Sequence, residues 1–211
     1  MSAYKEFEYA KQACDMGVFG YLVKPIEEET LMQTMKSVYE YCESKTMLEI
    51  EYDYLKEISQ CVSIPILRKD FVVDEYMIWE AKMLGASAVL LIVSILDVVQ
   101  LKKYLDLAHD LGLSAIVEAH DGDEIMRALT VGAEIIGVNN RNLNDFTVDI
   151  ENSISLRRCV SGDVIFISES GIKTAEDVRR LKENNVDAVL IGETLMRSDD
   201  KKSMILELKN A

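Results

Sequence analysis

The sequence predicts an α/β fold, a parallel sheet covered by helices, of the (βα)8 TIM-barrel-like kind. From Ile64 onward, short and nearly all-apolar segments alternate with amphipathic ones. Strands buried on both faces read as apolar runs, and the helices that cover them carry a 3.6-residue period. The turns LGAS, LGLS, VGAE and NNVD precede four of the apolar segments, and Gly or Asn there accommodates the left-handed residue that ends a helix. The apolar segments also finish on polar or charged residues, the positions where barrels of parallel strands keep their chemistry.

Taken in order, the expected strands are IPILRK, SAVLLIVS, LSAIVEA, EIIGVN, VIFISE and DAVLIG, with helices starting near Asp74, Leu96, Gly122, Ile150, Thr174 and Ser198. That makes six strand–helix units. A closed barrel needs eight strands whereas a doubly wound sheet can stop at five or six, so the first sixty residues decide between them. There, Phe7 to Met16 reads as a helix, Val18 to Lys24 as a strand ending in Lys-Pro, Glu27 to Ser44 as a long helix and Leu48 to Cys61 as a second helical stretch. Glu27, Glu28 and Glu29 suit the N-terminal turn of their helix better than a metal site. Met1 to Tyr4 reads as the tail of a strand, and if it pairs the count is eight.

The chain has 211 residues, 49% of them hydrophobic and only two of them proline, enough to bury a sizeable core as one domain. A net charge of -14 repels nucleic-acid backbones and acidic membranes, so an anionic ligand requires a local site. Cys14, Cys42, Cys61 and Cys159 show no metal-ligand spacing and read as reduced, structural thiols. The opening run SAYKEFEYAK lacks a signal-peptide core, and no apolar stretch reaches the ~18 residues of a membrane span. A soluble, cytoplasmic chain is expected, with no metal or organic cofactor implied and the oligomeric state left open.

Four strand ends carry chemistry. Lys69 follows three apolar residues and precedes a loop, the natural place for a cation at a barrel mouth, against the plainer reading of a solvated loop lysine. Glu118 ends SAIVEA; a carboxylate buried among apolar neighbours requires a partner, and a surface glutamate fits those neighbours poorly. Asn139 and Arg141 follow EIIGVN, where an arginine fork beside amides suits a carboxylate or phosphate. Glu169 ends VIFISE. Gly171 and Gly192, with Ser170 and Glu193 alongside, make a phosphate pocket in which backbone N–H groups approach the ligand closely, although turn glycines are ordinary one at a time. His109, inside a helix, and His120, at a helix start, are taken as structural.

The segment SAYKEFEYAKQACDMGVFGYLVKPIEEE resembles the C-terminal part of a response-regulator receiver domain, a flavodoxin-like fold, through Ser2-Ala3, the FEYA helix and the YLVKP strand end, over roughly residues 1–45. The resemblance implies that Ser2 and Lys24 contact a phosphoryl group. The aspartate that accepts it belongs to earlier strands without counterpart here, so signalling is not expected.

From about Tyr52 to Arg197 the motifs ILRKDF, VLLIV, IVEAHD, IGVNNRNL, ISESGI and LIGETLMR resemble, in order, those of indole-3-glycerol phosphate synthase, a lyase of tryptophan biosynthesis that closes and decarboxylates carboxyphenylaminodeoxyribulose phosphate, a small sugar phosphate. This implies Lys69 as general acid, Glu118 as catalytic base paired with it, Asn139 orienting the substrate, Glu169 in the acid–base network and Arg141 at the anionic end. It implies Phe71 and Leu90 lining the anthranilate ring site, with core packing an equal reading for Leu90. The family's first two strands, which carry a further lysine and glutamate, have no counterpart, which implies feeble turnover or none. The expected layout is one barrel-like domain over 1–211, receiver-like over 1–45 and synthase-like, units three to eight, over 46–211, with Lys24 standing in for the first-strand lysine at the phosphate end. The competing expectation is a fold hybrid that binds phosphate ligands, or is structural only, without turnover.

Overall fold

The computed structural model describes residues 54–142 and 147–211. The readings at Ser2, Lys24, Cys14, Cys42, Met1 to Tyr4 and the helices and strand placed over 7–44 lie outside those residues. The chain divides into two units, Met1–Ile58 and Ser59–Ala211, and the second carries the elements below.

Its order is β1 (Leu67–Arg68), α1 (Glu75–Met83), β2 (Ala88–Ile92), α2 (Val98–Asp110), β3 (Ser114–Ala119), α3 (Gly122–Thr130), β4 (Ile135–Asn139), α4 (Glu151–Arg157), β5 (Ile165–Glu169), α5 (Ala175–Glu183), β6 (Ala188–Leu190), α6 (Glu193–Arg197) and α7 (Lys201–Lys209). The six strands form one sheet in the order β1-β2-β3-β4-β5-β6, and every pair is parallel. A doubly wound sheet reverses its order near the middle; this one never does, which is the winding of a barrel.

Local chemistry sets the helix ends. Asp74, Asp97, Asp121 and Thr174 each accept a hydrogen bond from a first-turn backbone N–H, and Asp97 with Gln100 and Thr174 with Asp177 complete capping boxes. A cap of this kind contributes about 0.5–2 kcal/mol. At the other end, Gly85, Gly112, Gly132 and Asn185 all take positive φ, as the turn pattern predicts.

Two boundaries differ from expectation. The first strand shrinks to Leu67–Arg68, because Pro65 has no N–H to give to a ladder. The last unit turns helical at Glu193 rather than near Ser198: a short α6 comes first, and α7 then starts after Asp200, whose side chain accepts from the Ser203 N–H. Cys61 and Cys159 are free and exposed, so these two thiols face solvent rather than pack. No helix among the described residues is long and apolar enough to cross a membrane.

Strand alternation sorts the side chains. Val89, Leu91, Val117, Ile136, Val138 and Phe166 are fully buried, together with Ile78, Ala81, Ala108, Ile125 and Ala128 from the helices. The alternate positions build a second apolar cluster from Leu90, Ile92 and Ile116, with Leu67, Ile135 and Ile167 against it. One or two residues further along the same strands this layer ends, and polar side chains take over.

Gly132 has φ +89 and open space where a Cβ would lie, so Gly132→Ala costs backbone strain alone. Urea denaturation is expected to show a loss of about 1–2 kcal/mol with an unchanged denaturant slope.

Candidate active site

The polar layer stands directly on the apolar one. Arg68 and Lys69 are neighbours on an extended chain and point to opposite sides. Arg68 turns toward the helices, donating to Glu80 Oε2 at 2.7 Å and to the Met77 carbonyl at 3.0 Å. Lys69 therefore projects the other way, and its Nζ lies 3.5 Å from Glu118 Oε2 on β3 and 3.6 Å from Glu169 Oε2 on β5. In a flat sheet β1 and β5 would stand four strand spacings, about 19 Å, apart. A lysine and a glutamate cannot span that, so the sheet is curled into a half-barrel and its strand ends converge.

Both carboxylates are almost fully buried, with side-chain exposures of 5% for Glu118 and 1% for Glu169, while Lys69 at 43% opens outward. The two ion-pair distances exceed hydrogen-bonding range. Glu118 Oε2 and both Glu169 oxygens have no hydrogen-bond partner among the described residues, a costly state for buried oxygens unless a ligand or a proton satisfies them. Burial pushes the Glu169 carboxyl up from 4.5 to about 7; the nearby Glu118 carboxylate adds to the rise and the Lys69 ammonium opposes it.

Asn139, the last residue of β4, fixes Glu118 from the side. Its Nδ2 donates to Glu118 Oε1 at 3.1 Å, and its Oδ1 accepts from the Arg141 N–H at 3.0 Å. Behind it, Asn140 holds a buried polar lock: Nδ2 donates to Ser168 Oγ and to the Ser170 carbonyl, while Oδ1 accepts from the Ser153 N–H and hydroxyl. The sequence reading passed over this lock.

Space for the carboxylates comes from Gly137. A Cβ there would lie 2.0 Å from Glu169 Oε1 and 3.1 Å from the Ile116 side chain. A glycine inside a strand marks a close approach, and that signal was available in EIIGVN.

A cavity of about 670 Å3 opens beside Lys69, lined by Arg141, Ser170, Gly171, Lys173, Gly192, Glu193 and Arg197 among others. Ser170 and Gly171 both take positive φ, and a Cβ on Gly171 would collide with Val148. Thr194 Oγ1 donates to the Ile172 carbonyl at 2.6 Å, tying the loop after β5 to the start of α6, which Gly192 precedes. Arg141 pairs with Glu193 at 3.1 Å and Arg197 pairs with the same carboxylate at 3.0 Å. Lys173 and Arg197 were missed in the sequence; with Lys69 and Arg141 they put four cations and one carboxylate in the cavity lining, a locally basic pocket on an acidic chain.

Two expected residues sit apart. Leu90, 2% exposed, belongs to the apolar layer beneath the polar groups; Phe71, 65% exposed, lies on the loop after β1. Of the histidines, His109 is exposed on α2, whereas His120 brings Nε2 to 3.6 Å from Glu118 Oε1. Its place two residues past Glu118, at the C-terminal tip of β3, was the overlooked signal.

Two outcomes follow from this geometry. Gly137→Ala is expected to lower stability by about 1–3 kcal/mol through overpacking, read by chemical denaturation. Glu169 has a folded-state pKa raised above its unfolded value, so the stability linked to it is fully present below about 4.5 and is lost as pH rises through about 7. Stability measured across that range is expected to decline less steeply with pH in Glu169→Gln than in the parent chain.

The family model described as indole-3-glycerol phosphate synthase matches residues 41–208. The enzyme of that name from Lachnoclostridium phytofermentans is 57% identical over 158 residues, covering 75% of this chain and 58% of its own length. The one from Chlorobium phaeobacteroides is 42% identical over 205 residues, covering 97% of this chain and 72% of its own. Against the first group of relatives, the chain spans about three fifths of their length. Among solved structures, 3-hexulose-6-phosphate synthase from Salmonella typhimurium aligns with a TM-score of 0.67 at 15% identity, over 75% of this chain and 78% of that one. Thiamine phosphate pyrophosphorylase from Pyrococcus furiosus aligns with 0.60 at 17% identity, over 75% and 74%. These two likenesses speak for the fold alone, and the sequence matches for kinship: the chain belongs to the indole-3-glycerol phosphate synthase family.

Proposed function

We propose that this chain carries the catalytic face of an indole-3-glycerol phosphate synthase, acting on carboxyphenylaminodeoxyribulose phosphate with release of carbon dioxide and water. The observation that carries the reading is one ammonium, Lys69, held between two buried carboxylates from strands two and four positions away. Closing the ring requires a proton delivered to the oxygen that leaves as water. A second proton is removed as the indole becomes aromatic. Lys69, open to the cavity, is the donor; Glu118, oriented by Asn139, is the acceptor. Glu169, with its pKa near 7, carries protons between them at neutral pH, since a group poised near the working pH exchanges protons in both directions.

The substrate's phosphate is assigned to Ser170, Gly171, Gly192 and Glu193, where the basic lining of the 670 Å3 cavity supports an anion. Glu193 there acts by holding Arg141 and Arg197 in place. Arg141 serves the anionic end of the substrate, Phe71 the anthranilate side, and Leu90 the floor. A cytoplasmic site of action accords with a biosynthetic role. The SAYKEFEYA and YLVKP motifs support a receiver-type origin for 1–45, with Lys24 a phosphate contact by that resemblance. Phosphate affinity unchanged in Lys24→Ala removes Lys24 from the site.

The competing reading is a phosphate-binding barrel without turnover. Indole fluorescence with the purified chain decides between them. Product is expected, and Lys69→Ala and Glu118→Gln are each expected to lower kcat/KM by about 10²–10⁴-fold. Product formation indifferent to both substitutions removes the two assigned roles.

A further inference from the structure

Behind Glu118, on the side away from Lys69, stands a second layer of charge. Glu124, 9% exposed on α3, accepts from the His120 backbone N–H at 2.8 Å and faces His120 Nδ1 at 3.1 Å through the same Oε2. His120 Nε2 in turn faces Glu118 Oε1 at 3.6 Å and is buried without a hydrogen-bond partner. Each ring nitrogen thus looks at a carboxylate oxygen. Nδ1 is within hydrogen-bonding distance of Glu124, while the buried Nε2, left without a partner, is aimed at Glu118 from just beyond that distance. The backbone bond to Glu124 by itself would settle the start of α3, and it does not require the ring to lie between two acids.

We infer that His120 is a positioning residue for Glu118: clamped by Glu124 at one edge of the ring, it backs the Glu118 carboxylate with the other and steadies it from behind. The consequence for catalysis rests on the synthase reading above. With the ring behind it, Glu118 keeps the orientation in which it meets Lys69 and the substrate. The other charged groups around the ring have been placed. Arg127 lies 3.6 Å from Glu124 Oε1. Lys69 and Glu169 stand beyond Glu118. Arg141 and Asp149 face the ring across a cavity of about 520 Å3 that His120 and Glu124 also line. The Asn152 side-chain amide, a neutral donor, holds the His120 carbonyl at 3.2 Å.

The chain contains two histidines, which makes the bridge directly observable. Imidazole 15N and ring 1H spectra of the full chain at one fixed pH are expected to show His120 signals that shift in Glu118→Gln and in Glu124→Gln while those of the exposed reference His109 stay in place. A His120 ring that responds to neither substitution overturns the bridge. Steady-state kinetics supply the second arm. His120→Asn is expected to lower kcat about tenfold with KM within about twofold, the pattern of an interaction realised in the transition state. Should His120→Asn not fold, Glu124→Gln is read for the same kcat loss at unchanged KM. A variant that keeps the parent's kcat overturns the positioning role. Spectra showing the bridge in a chain that forms no indole product support the inference and sink the synthase reading, so the two fail separately.

Discussion

Lys69 is the shared counter-ion of two buried carboxylates, and the curvature of the sheet is what allows it. Glu118 and Glu169 leave their strands at β3 and β5, Lys69 enters just after β1, and all three meet within ion-pair distance. Removing a lone charge from water costs several kcal/mol even after relaxation. A site with two acids and one exposed amine is therefore short of positive charge by construction. That shortage is visible in Glu169, driven toward neutrality by burial and by its acidic neighbour.

The layers beneath make the site rigid. Leu90, Ile92 and Ile116 form an apolar floor on the same strand faces, so the polar groups above them rest on packed side chains rather than on solvent. The Asn140, Ser153 and Ser168 lock joins β4, β5 and α4 behind the site with every member hydrogen-bonded. A satisfied buried network of this kind specifies one arrangement of the strand ends it joins.

Much of this was legible in the sequence where the determinants are local. Caps at Asp74, Asp97, Asp121 and Thr174 and turns at Gly85, Gly112 and Gly132 depend on a few adjacent residues, and they appear where the pattern places them. The candidate residues Lys69, Glu118, Asn139 and Glu169 were identifiable from their strand-end positions. Their convergence was not, because it depends on how far the sheet curls, a sum over every strand pair. β1 was overextended because Pro65 matters only when a neighbour asks for its missing N–H. His120 was set aside because its spacing to Glu124 looks like ordinary helix-start chemistry, and only the placement of α3 against β3 gives the ring its second acid. Gly137 has no functional group to notice; the approach of Glu169 from another strand gives it meaning.

The double pairing of Glu193 with Arg141 and Arg197 has a consequence for ligand capture. Exposed pairs of this type are worth roughly 0–1 kcal/mol each, so they are weak as fastenings, but they hold two long side chains pre-aimed at the cavity. Ordering a free arginine on arrival of a ligand would cost about 0.5–1.5 kcal/mol. On the proposed reading, an incoming dianion would exchange one counter-ion for a stronger one at little entropic expense, and on its departure the resident carboxylate would reset the guanidinium groups for the next encounter.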